Sequence, residues 1–325
     1  MLHKYLKSNT SILPFLAALF FLQPANAGSD YAAITTAMQV EHISAHTYYV
    51  KGVSGIATEN EGFISNAGFV VTKEGVVIFD ALGTPSLAAA LLERIRKITD
   101  QPIKLVVVSH YHADHIYGLQ VFKNLGAEIY APEGSSTYIN SEAAAQRLEE
   151  RQLSLYPWVN DETEIIIPDA IISGQKRFSL GGLDFTINYL GKAHSDGDLA
   201  MLVEQDRVLF SGDIIFEGRV PFVGNANTKH WLKTLTELET GGLAALIPGH
   251  GAASKNPAST ISLTRRYLAY LRETMGLAID DLTPFDEAYD EVDWSEFENV
   301  PAFKEANRIN AYQVYLSMGK ELFEK

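Results

Sequence analysis

The stretch VVVSHYHADHIYG, residues 106–118, decides the fold. It continues an apolar run that begins at Leu105, and it ends in a turn that places four polar side chains within six positions: His110, His112, Asp114 and His115. The run predicts a buried strand, and a strand-end loop can hold converging side chains in place. Imidazole nitrogens and carboxylates bind zinc, but four side chains so close together along the chain do not easily reach one ion. The spacing therefore favours two adjacent metals, with His110 and His112 facing one and Asp114 and His115 facing the other.

Further ligands must come from elsewhere in the chain, and three candidates lie at the ends of other predicted strands. His194 lies in GKAHSDGD, Asp213 in FSGD and His250 in IPGHG. Glycines beside His194 and His250 allow the backbone to approach closely. Core packing does not require a potential ligand at each of four strand ends. The other histidines after residue 27 (His42, His46 and His230) lack such a context, and we expect them to be ordinary polar residues.

The remaining pattern predicts an α/β fold in which each half has strands followed by a helix and a further strand. Such a pattern is satisfied by two packed sheets with helices outside. We treat residues 28–279 as one domain, because no linker rich in Pro, Gly or Ser divides it. Residues 280–325 form an acidic C-terminal extension that ends in a predicted helix.

The N-terminus has the features of a secretory signal peptide over residues 1–27. Lys4 and Lys7 precede the apolar run ILPFLAALFFL, and Ala25-Asn26-Ala27 has the form of a cleavage site. The run is well short of the ~20 residues that span a bilayer. We therefore expect an exported, periplasmic protein that is free of the membrane after cleavage.

The amino-acid composition of the chain excludes several kinds of site and argues against several classes of partner. The chain has no cysteine, which excludes a disulfide, a thiolate nucleophile and a cysteine-ligated metal. Its formal net charge of −14 argues against nucleic acid and anionic membranes, whose phosphates would repel it. The expected partner is a small-molecule substrate.

The motifs SHYHADH, GKAHSDGD, SGD and PGHG, in this order, resemble those of the metallo-β-lactamase superfamily of metallohydrolases, over roughly residues 40–270. The resemblance implies a four-layer αββα sandwich with the metals at one edge of the sheets. It also implies a complete set of ligands for two Zn²⁺ ions, although Fe or Mn would also suit them. Carried over residue by residue, the first metal is held by His110, His112 and His194, the second by Asp114, His115 and His250, and Asp213 bridges the two.

Two adjacent cations lower the pKa of a bridging water toward ~7 and so supply hydroxide as the nucleophile, which Asp114 is expected to orient. In the β-lactamases with the most similar first motif, the position of Asp213 is typically a cysteine. A bridging aspartate is instead typical of glyoxalase II-like thioesterases, although the second histidine motif of those enzymes reads GHTxGH rather than AHSDGD. The resemblance therefore implies an exported dinuclear zinc hydrolase of a small ester, thioester or lactam.

Two less specific motifs are SGDIIFEGRVPFVGNAN and ANRINAYQVY. They look most like those of a periplasmic branch of the superfamily, the quinoprotein relay system zinc metallohydrolases. This resemblance implies a periplasmic redox-system partner. Residues near the predicted metals that could contact substrate are Tyr117, Arg219, Phe222 and Asn225. Arg219 could pair with a substrate carboxylate or phosphate, or instead with Glu217 on its own loop.

Three other functions remain open from the sequence. They are metallo-β-lactamase activity proper, a non-catalytic periplasmic accessory or binding protein that keeps its metals for stability, and a mononuclear iron dioxygenase acting on persulfides. The last is disfavoured because that group does not use the second-metal ligands, whereas Asp114, His115 and His250 are all present.

Overall fold

A computed structural model describes residues 31–238 and 240–323, so the predicted signal segment 1–27 lies outside the described residues. The first sheet contains the strands β1 (Val40–His42), β2 (Thr47–Val50), β3 (Ala67–Val71), β4 (Val76–Phe79), β5 (Ile103–Val107), β6 (Glu128–Pro132) and β7 (Ala170–Ile172). The second sheet contains β8 (Gln175–Leu180), β9 (Leu183–Tyr189), β10 (Leu199–Val203), β11 (Val208–Phe216) and β12 (Ala245–His250).

Both sheets mix antiparallel and parallel pairing. In the first, the strands lie in chain order; β1 to β4 pair antiparallel, and β4 to β7 pair parallel. In the second, the order is β12-β11-β10-β9-β8, and only β11 and β12 are parallel. Parallel neighbours end at the same edge of a sheet, so the loops after β4, β5 and β6 lie together, as do the ends of β11 and β12.

Helices cover the outer faces of both sheets. They are α1 (Pro85–Arg96), α2 (Ala113–Ile116), α3 (Leu119–Lys123), α4 (Ser135–Ile139), α5 (Glu142–Ser154), α6 (Thr228–Glu237), α7 (Pro257–Asp280), α8 (Phe285–Glu291) and α9 (Phe303–Phe323). Local sequence explains their starts. In α1, for example, the Thr84 hydroxyl accepts a hydrogen bond from Leu87 N at 3.0 Å, and Pro85 occupies the first turn, where its missing N–H costs nothing.

Three apolar clusters fill the spaces between the layers. One lies between the two sheets, where the rings of Phe79 and Phe210 stack with centroids 5.3 Å apart. A second joins the first sheet to α1, α2 and α3, and a third joins the second sheet to α6, α7 and α9. Layers of helix, sheet, sheet and helix confirm the predicted four-layer αββα sandwich.

The C-terminal extension packs against the second sheet's helical layer. The predicted domain boundary at residue 279 falls in the last turn of α7, and α9 then returns across this helix. Ala311 and Val314 of α9 are fully buried in the third cluster, and Arg272 of α7 forms a bidentate ion pair with Glu321. Within residues 31–238 and 240–323, no helix is both long and apolar enough to cross a membrane.

Candidate metal centre

The seven predicted ligands meet at one edge of the sandwich, where strands of both sheets end. They come from the loop after β5 and the start of α2 (His110, His112, Asp114, His115), the β9–β10 loop (His194), β11 (Asp213) and the end of β12 (His250). Their ligand atoms fall into two groups, each within 4.8 Å: His110, His112, His194 and Asp213 in one, and Asp114, His115 and His250 in the other. The three histidines expected at the first metal lie in one group and the three side chains expected at the second lie in the other, while Asp213, expected to bridge, falls in the first group.

Three imidazoles of the first group point their nitrogens at a common position. His112 Nδ1 lies 2.9 Å from His110 Nε2 and 3.0 Å from His194 Nε2. Asp213 Oδ2 lies 3.4 Å from His194 Nε2. Ligands bound at ~2.0–2.1 Å to a tetrahedral zinc are about 3.3 Å from one another, so these atoms could share one ion after small adjustments.

The second group has the same spacing. Asp114 Oδ2 lies 3.3 Å from His250 Nε2 and 3.5 Å from His115 Nε2. Asp213 reaches this group as well: its Oδ1 lies 3.3 Å from His115 Nε2, and its Oδ2 lies 3.2 Å from His250 Nε2. Asp213 therefore stands between the two groups and contacts both.

The histidines of the β5 loop are oriented by a carboxylate that no sequence motif predicted. Asp80, directly after β4, accepts hydrogen bonds from His115 Nδ1 at 2.9 Å and from the Ser109 hydroxyl at 2.8 Å. That hydroxyl in turn lies 2.9 Å from His110 Nδ1. With both Nδ1 atoms occupied as donors, the Nε2 lone pairs of His110 and His115 face the site.

The end of β12 and the β9–β10 loop are each held by hydrogen bonds of their own. His250 Nδ1 donates to the carbonyl of Ile64 at 2.7 Å, which again leaves Nε2 for the site. Asp198, buried in the same loop as His194, accepts hydrogen bonds from Ala193 N at 3.1 Å and from Ser195 N at 3.0 Å, and so fixes the tight turn that carries the histidine. Burial raises the pKa of Asp198 to about 7 despite these bonds.

Both carboxylates of the centre are held ionised. Burial alone would raise their pKa values, but His250 and His115 hold the pKa of Asp213 well below its usual value, and the same imidazoles do so for Asp114. Asp114 is the more accessible of the two, with 21% of its side chain exposed against 4% for Asp213.

The histidines divide into two electrostatic kinds. Burial lowers the pKa of His194 to about 3, and burial together with the neighbouring imidazoles lowers that of His110 well below 6.5, so both are neutral lone-pair donors. Burial would also lower the pKa of His115 and of His250, but nearby carboxylates, chiefly Asp213, raise it in each case. These two imidazoles therefore sit where the site attracts positive charge.

The residues present fit a divalent metal ion. His115 Nε2 and Asp213 Oδ1 are buried without a hydrogen-bond partner among the described residues, although buried polar atoms usually have one. A cation between them would satisfy both. The donors are imidazole nitrogens and carboxylate oxygens, which suit zinc and related first-row ions.

Glycine permits the close approach of β12 to Asp213. A Cβ on Gly249 would lie 1.9 Å from Asp213 Oδ1 and 2.7 Å from the carbonyl carbon of Gly212. No side chain fits there, so the glycine in PGHG is required by the position of the carboxylate beside β12.

The centre opens onto a cavity of about 860 Å³. Three of the four predicted substrate contacts line it, namely Arg219, Phe222 and Asn225 in the loop after β11. The structure corrects the fourth: Tyr117 is 0% exposed and packs in the cluster outside the first sheet, because the residue follows α2 on its inward face. The C-terminal extension also contributes to the cavity, through Ala302, Glu305, Ala306 and Gln313.

Residues 60–250 match the family described as the metallo-beta-lactamase superfamily. This match covers more than half of the chain and contains all seven predicted ligands. The chain belongs to the metallo-β-lactamase superfamily. It is accordingly a metal-dependent hydrolase with a His/Asp metal-binding site, and the resemblance identified from its motifs is confirmed at this level. The narrower periplasmic branch stays a prediction.

Similar sequences include metallo-β-lactamases from two bacteria. Metallo-β-lactamase IND-1 of Chryseobacterium indologenes is 26% identical over 210 residues, which are 63% of this chain and 77% of the relative. A type 2 metallo-β-lactamase of Elizabethkingia meningoseptica is 25% identical over 180 residues, 54% of this chain and 64% of the relative.

Solved structures share the superfamily fold. A metallo-β-lactamase from Pontibacter korlensis has a TM-score of 0.57 at 21% identity, covering 72% of this chain and 99% of that one. The sec-alkylsulfatase Pisa1 from a Pseudomonas species has a TM-score of 0.67 at 18% identity, covering 86% of this chain and 50% of that one. These similarities support the fold and say nothing of substrate.

Proposed function

We propose that this superfamily member is an exported dinuclear zinc enzyme that hydrolyses a small ester, thioester or lactam. The observation that carries the proposal is the position of Asp213, whose two carboxylate oxygens lie 3.2–3.4 Å from ring nitrogens in both ligand groups. A carboxylate so placed suits two ions held side by side better than one ion alone.

In this proposal every ligand keeps the role implied by the resemblance. The first ion takes His110, His112 and His194, the second takes Asp114, His115 and His250, and Asp213 serves both. Zinc is the ion that the donor set favours, while iron or manganese would fit the same nitrogens and oxygens and are distinguished by metal analysis.

Two bound cations would polarise the scissile carbonyl and supply a nucleophilic water at neutral pH. The protein's own contribution is to position this chemistry. Asp114 is ionised and partly open to the cavity, so it can accept a proton and orient the attacking water. Phe222 and Asn225 line the approach, and a cavity of about 860 Å³ suits a small-molecule substrate.

A second candidate reaction is β-lactam hydrolysis, which is favoured because the similar sequences named above are β-lactamases. The cysteine typical of such enzymes is absent, and Asp213 occupies its position. The substrate panel described below distinguishes the two reactions. It also tests the non-catalytic alternative, in which metals bind but no substrate is hydrolysed.

The test is metal analysis of the purified full chain by mass spectrometry, followed by a panel of chromogenic esters, thioesters, lactones and a cephalosporin. We expect about two zinc ions per chain and hydrolysis that a chelator abolishes and added zinc restores. A single stoichiometric iron, or two metals without turnover of any substrate in the panel, would overturn the proposal. Asp213→Ala should leave at most one ion bound and remove most turnover, while Asp161→Ala, at an exposed aspartate outside the cavity lining, is the control.

Export is tested separately, because activity does not depend on it. The mass of the protein recovered from the periplasm of an expressing bacterium should correspond to a chain that begins at Gly28. Recovery of the uncleaved chain in the cytoplasm would remove the signal-peptide part of the proposal and leave the metal centre unaffected.

A further inference from the structure

The C-terminal extension forms part of the wall of the cavity onto which the metal centre opens. Glu305, Ala306 and Gln313 of α9 line this cavity, and Ala302 lines it directly before the helix. Residues three or four positions apart lie on the same face of a helix. Ile309 stands at this spacing from all three of the α9 residues, so it lies on the face of the helix that borders the cavity. Ile309 is nevertheless 53% exposed.

Two other large apolar residues of the cavity are also about half exposed. Ile56, in the loop between β2 and β3, is 45% exposed, and Phe222, in the loop after β11, is 42% exposed. Asn310 of α9 forms hydrogen bonds with both chain neighbours of Phe222, so Phe222 lies beside the same helix. Single apolar residues are common on protein surfaces, but Ile56, Phe222 and Ile309 around one cavity form a patch that a ligand can remove from water.

The apolar surface continues along α9 beyond the cavity. Leu316 lies one turn after Gln313 on the same face of the helix and is 39% exposed. At a rise of about 1.5 Å per residue, the distance along the helix from Ala306 to Leu316 is about 15 Å. A substrate that follows this face would therefore carry an extended apolar chain rather than a compact group.

The charged side chains of the cavity nearly balance one another. Those that line it are the carboxylates Asp114, Asp196, Asp213 and Glu305 and the guanidinium groups Arg147, Arg151 and Arg219. Their opposite charges leave only a small remainder, so apart from bound metal the lining attracts neither anions nor cations strongly. Glu305 stands on the same face of α9 as Ile309 and disfavours an anionic group at this wall. The apolar side chains are therefore the clearer basis for substrate selection.

We propose that α9 provides an apolar subsite and that the substrate carries an uncharged apolar acyl chain, which extends past Phe222 and Ile309 toward Leu316. The inference rests on the proposed hydrolase function and specifies its substrate class. The chain is assigned to the acyl group because esters, thioesters and lactams share that part. α9 lies outside residues 60–250, which match the superfamily, so this wall is added by the C-terminal extension. Each methylene group that leaves water on binding strengthens binding by up to about fourfold, so longer chains should be preferred.

The kinetic test uses the neutral 4-nitrophenyl esters of acetic, butyric, hexanoic and octanoic acid. The measured quantity is the ratio of kcat/KM for the octanoate to that for the acetate, after subtraction of spontaneous hydrolysis. We expect this ratio to exceed about ten in the wild type and to fall at least about threefold in Ile309→Ser. Gln313→Leu, which extends the apolar face, should raise it. Because Ile309 is exposed, its replacement should not disturb folding.

Leu277→Ser is the matched control for the kinetic test. Leu277 is a similarly exposed aliphatic residue, at 59%, but it lies on α7 outside the cavity lining. Its replacement should leave the ratio unchanged. The same ratio in the wild type and Ile309→Ser would overturn the apolar subsite, even if every ester is hydrolysed and the proposed function stands.

A binding measurement separates this inference from turnover. Calorimetric titration of the metal-loaded protein with two uncharged amides should show that octanamide binds at least about tenfold more tightly than butanamide to the wild type and to Leu277→Ser. In Ile309→Ser this preference should fall at least about threefold. An equal preference in all three proteins would overturn the assignment. If none of the esters is hydrolysed, the hydrolase proposal fails for esters, while the titration still decides the role of α9.

Discussion

Asn310 of α9 holds the loop that follows Asp213 by two hydrogen bonds. Its side-chain oxygen accepts from Val223 N at 2.9 Å, and its side-chain nitrogen donates to the carbonyl of Pro221 at 2.7 Å. Asn310 is fully buried, so these bonds are shielded from water. The C-terminal extension, which lies beyond the family match at residues 60–250, thus fixes the loop that carries Arg219 and Phe222, two residues of the cavity lining.

We predict that Asn310→Leu impairs substrate binding more than it impairs folding. The substitution leaves Val223 N and the Pro221 carbonyl without partners, at a cost of about 1–3 kcal/mol for each unsatisfied buried group. The loop should then shift, and KM for a hydrolysed substrate should rise more than kcat falls. Kinetics and urea unfolding of the same preparation provide the measurement.

Asn307→Leu is the matched control for this prediction. Asn307 lies one turn earlier on α9 and bonds to Tyr267 and Tyr289 rather than to the loop. It should destabilise the protein to a similar extent and leave KM nearly unchanged. Equal changes of KM in the two variants would mean that α9 acts through general stability and not through the loop.

The sequence was sufficient to predict which side chains meet at one sheet edge, because these residues follow strands. Ligands at the ends of parallel strands must meet at one sheet edge, and the motif spacing identified them. Asp80 also lies at this edge, because it directly follows β4, the parallel neighbour of β5. It could not be identified from the sequence, because the aspartate in FDA is not part of a recognisable motif. The burial of Tyr117 could not be predicted, because it depends on how the short helix α2 packs. The lack of hydrogen-bond partners at Nε and Nη1 of Arg219, among the described residues, could not be predicted either, because it depends on the tertiary structure.

Asp80→Asn should weaken both proposed metal sites together. Asp80 accepts from His115 directly and supports His110 through Ser109, so its loss disturbs one histidine of each group. Removing such a hydrogen-bond partner behind a metal ligand typically costs about 10–100-fold in metal affinity or activity. Competition with a chromogenic chelator measures the affinity, and Asp169→Asn, on a surface ion pair with Lys123, is the control. Selective loss of only one ion would contradict the shared role.

Gly249→Ala should disrupt the site through a single added methyl group. The new Cβ would overlap Asp213 Oδ1 at 1.9 Å, and the opposing backbone of β11 cannot yield without breaking the β11–β12 pairing. We expect loss of bound metal and of turnover by at least about tenfold, since ligand positions tolerate displacements of only about 0.5 Å. Gly174→Ala, where nothing lies within 4 Å of the added atom, should behave as the wild type. Full metal content in Gly249→Ala would show that Asp213 is not fixed by β12.

Metal binding should release protons and strengthen as the pH rises. Carboxylates raise the pKa values of His115 and His250, so in the absence of metal these two imidazoles hold protons at and below their raised pKa values. Above those values the lone pairs are free and the affinity reaches a plateau. Calorimetry in buffers of different ionisation enthalpy should count about one to two protons released per chain near neutral pH. Asp114→Asn, which removes one of the responsible carboxylates, should release fewer; release of none by the wild type would contradict the assignment.

A buried carboxylate far from the metal centre ties the two sheets together. Asp206, in the β10–β11 turn of the second sheet, accepts hydrogen bonds from the Ser44 hydroxyl at 2.5 Å, from His46 Nδ1 at 2.8 Å and from the Thr47 hydroxyl at 2.7 Å. Ser44 and His46 belong to the β1–β2 turn of the first sheet, and Thr47 is the first residue of β2. Burial opposes ionisation, but the hydrogen bonds prevail and lower the pKa of Asp206.

Asp206→Asn should therefore destabilise the protein in a pH-dependent manner. A carboxyl group whose folded pKa is lowered contributes stability above its unfolded pKa of about 3.9, and this contribution disappears as the pH falls through the folded pKa. The difference in unfolding free energy between wild type and Asp206→Asn should be about 1–3 kcal/mol at pH 7 and should shrink below pH 4. Urea unfolding of metal-free protein measures it without interference from the metal centre. Asp184→Asn, which bonds Ser179 and Gln205 within the second sheet alone and is exposed, should change stability less at every pH, because no contact between sheets is lost.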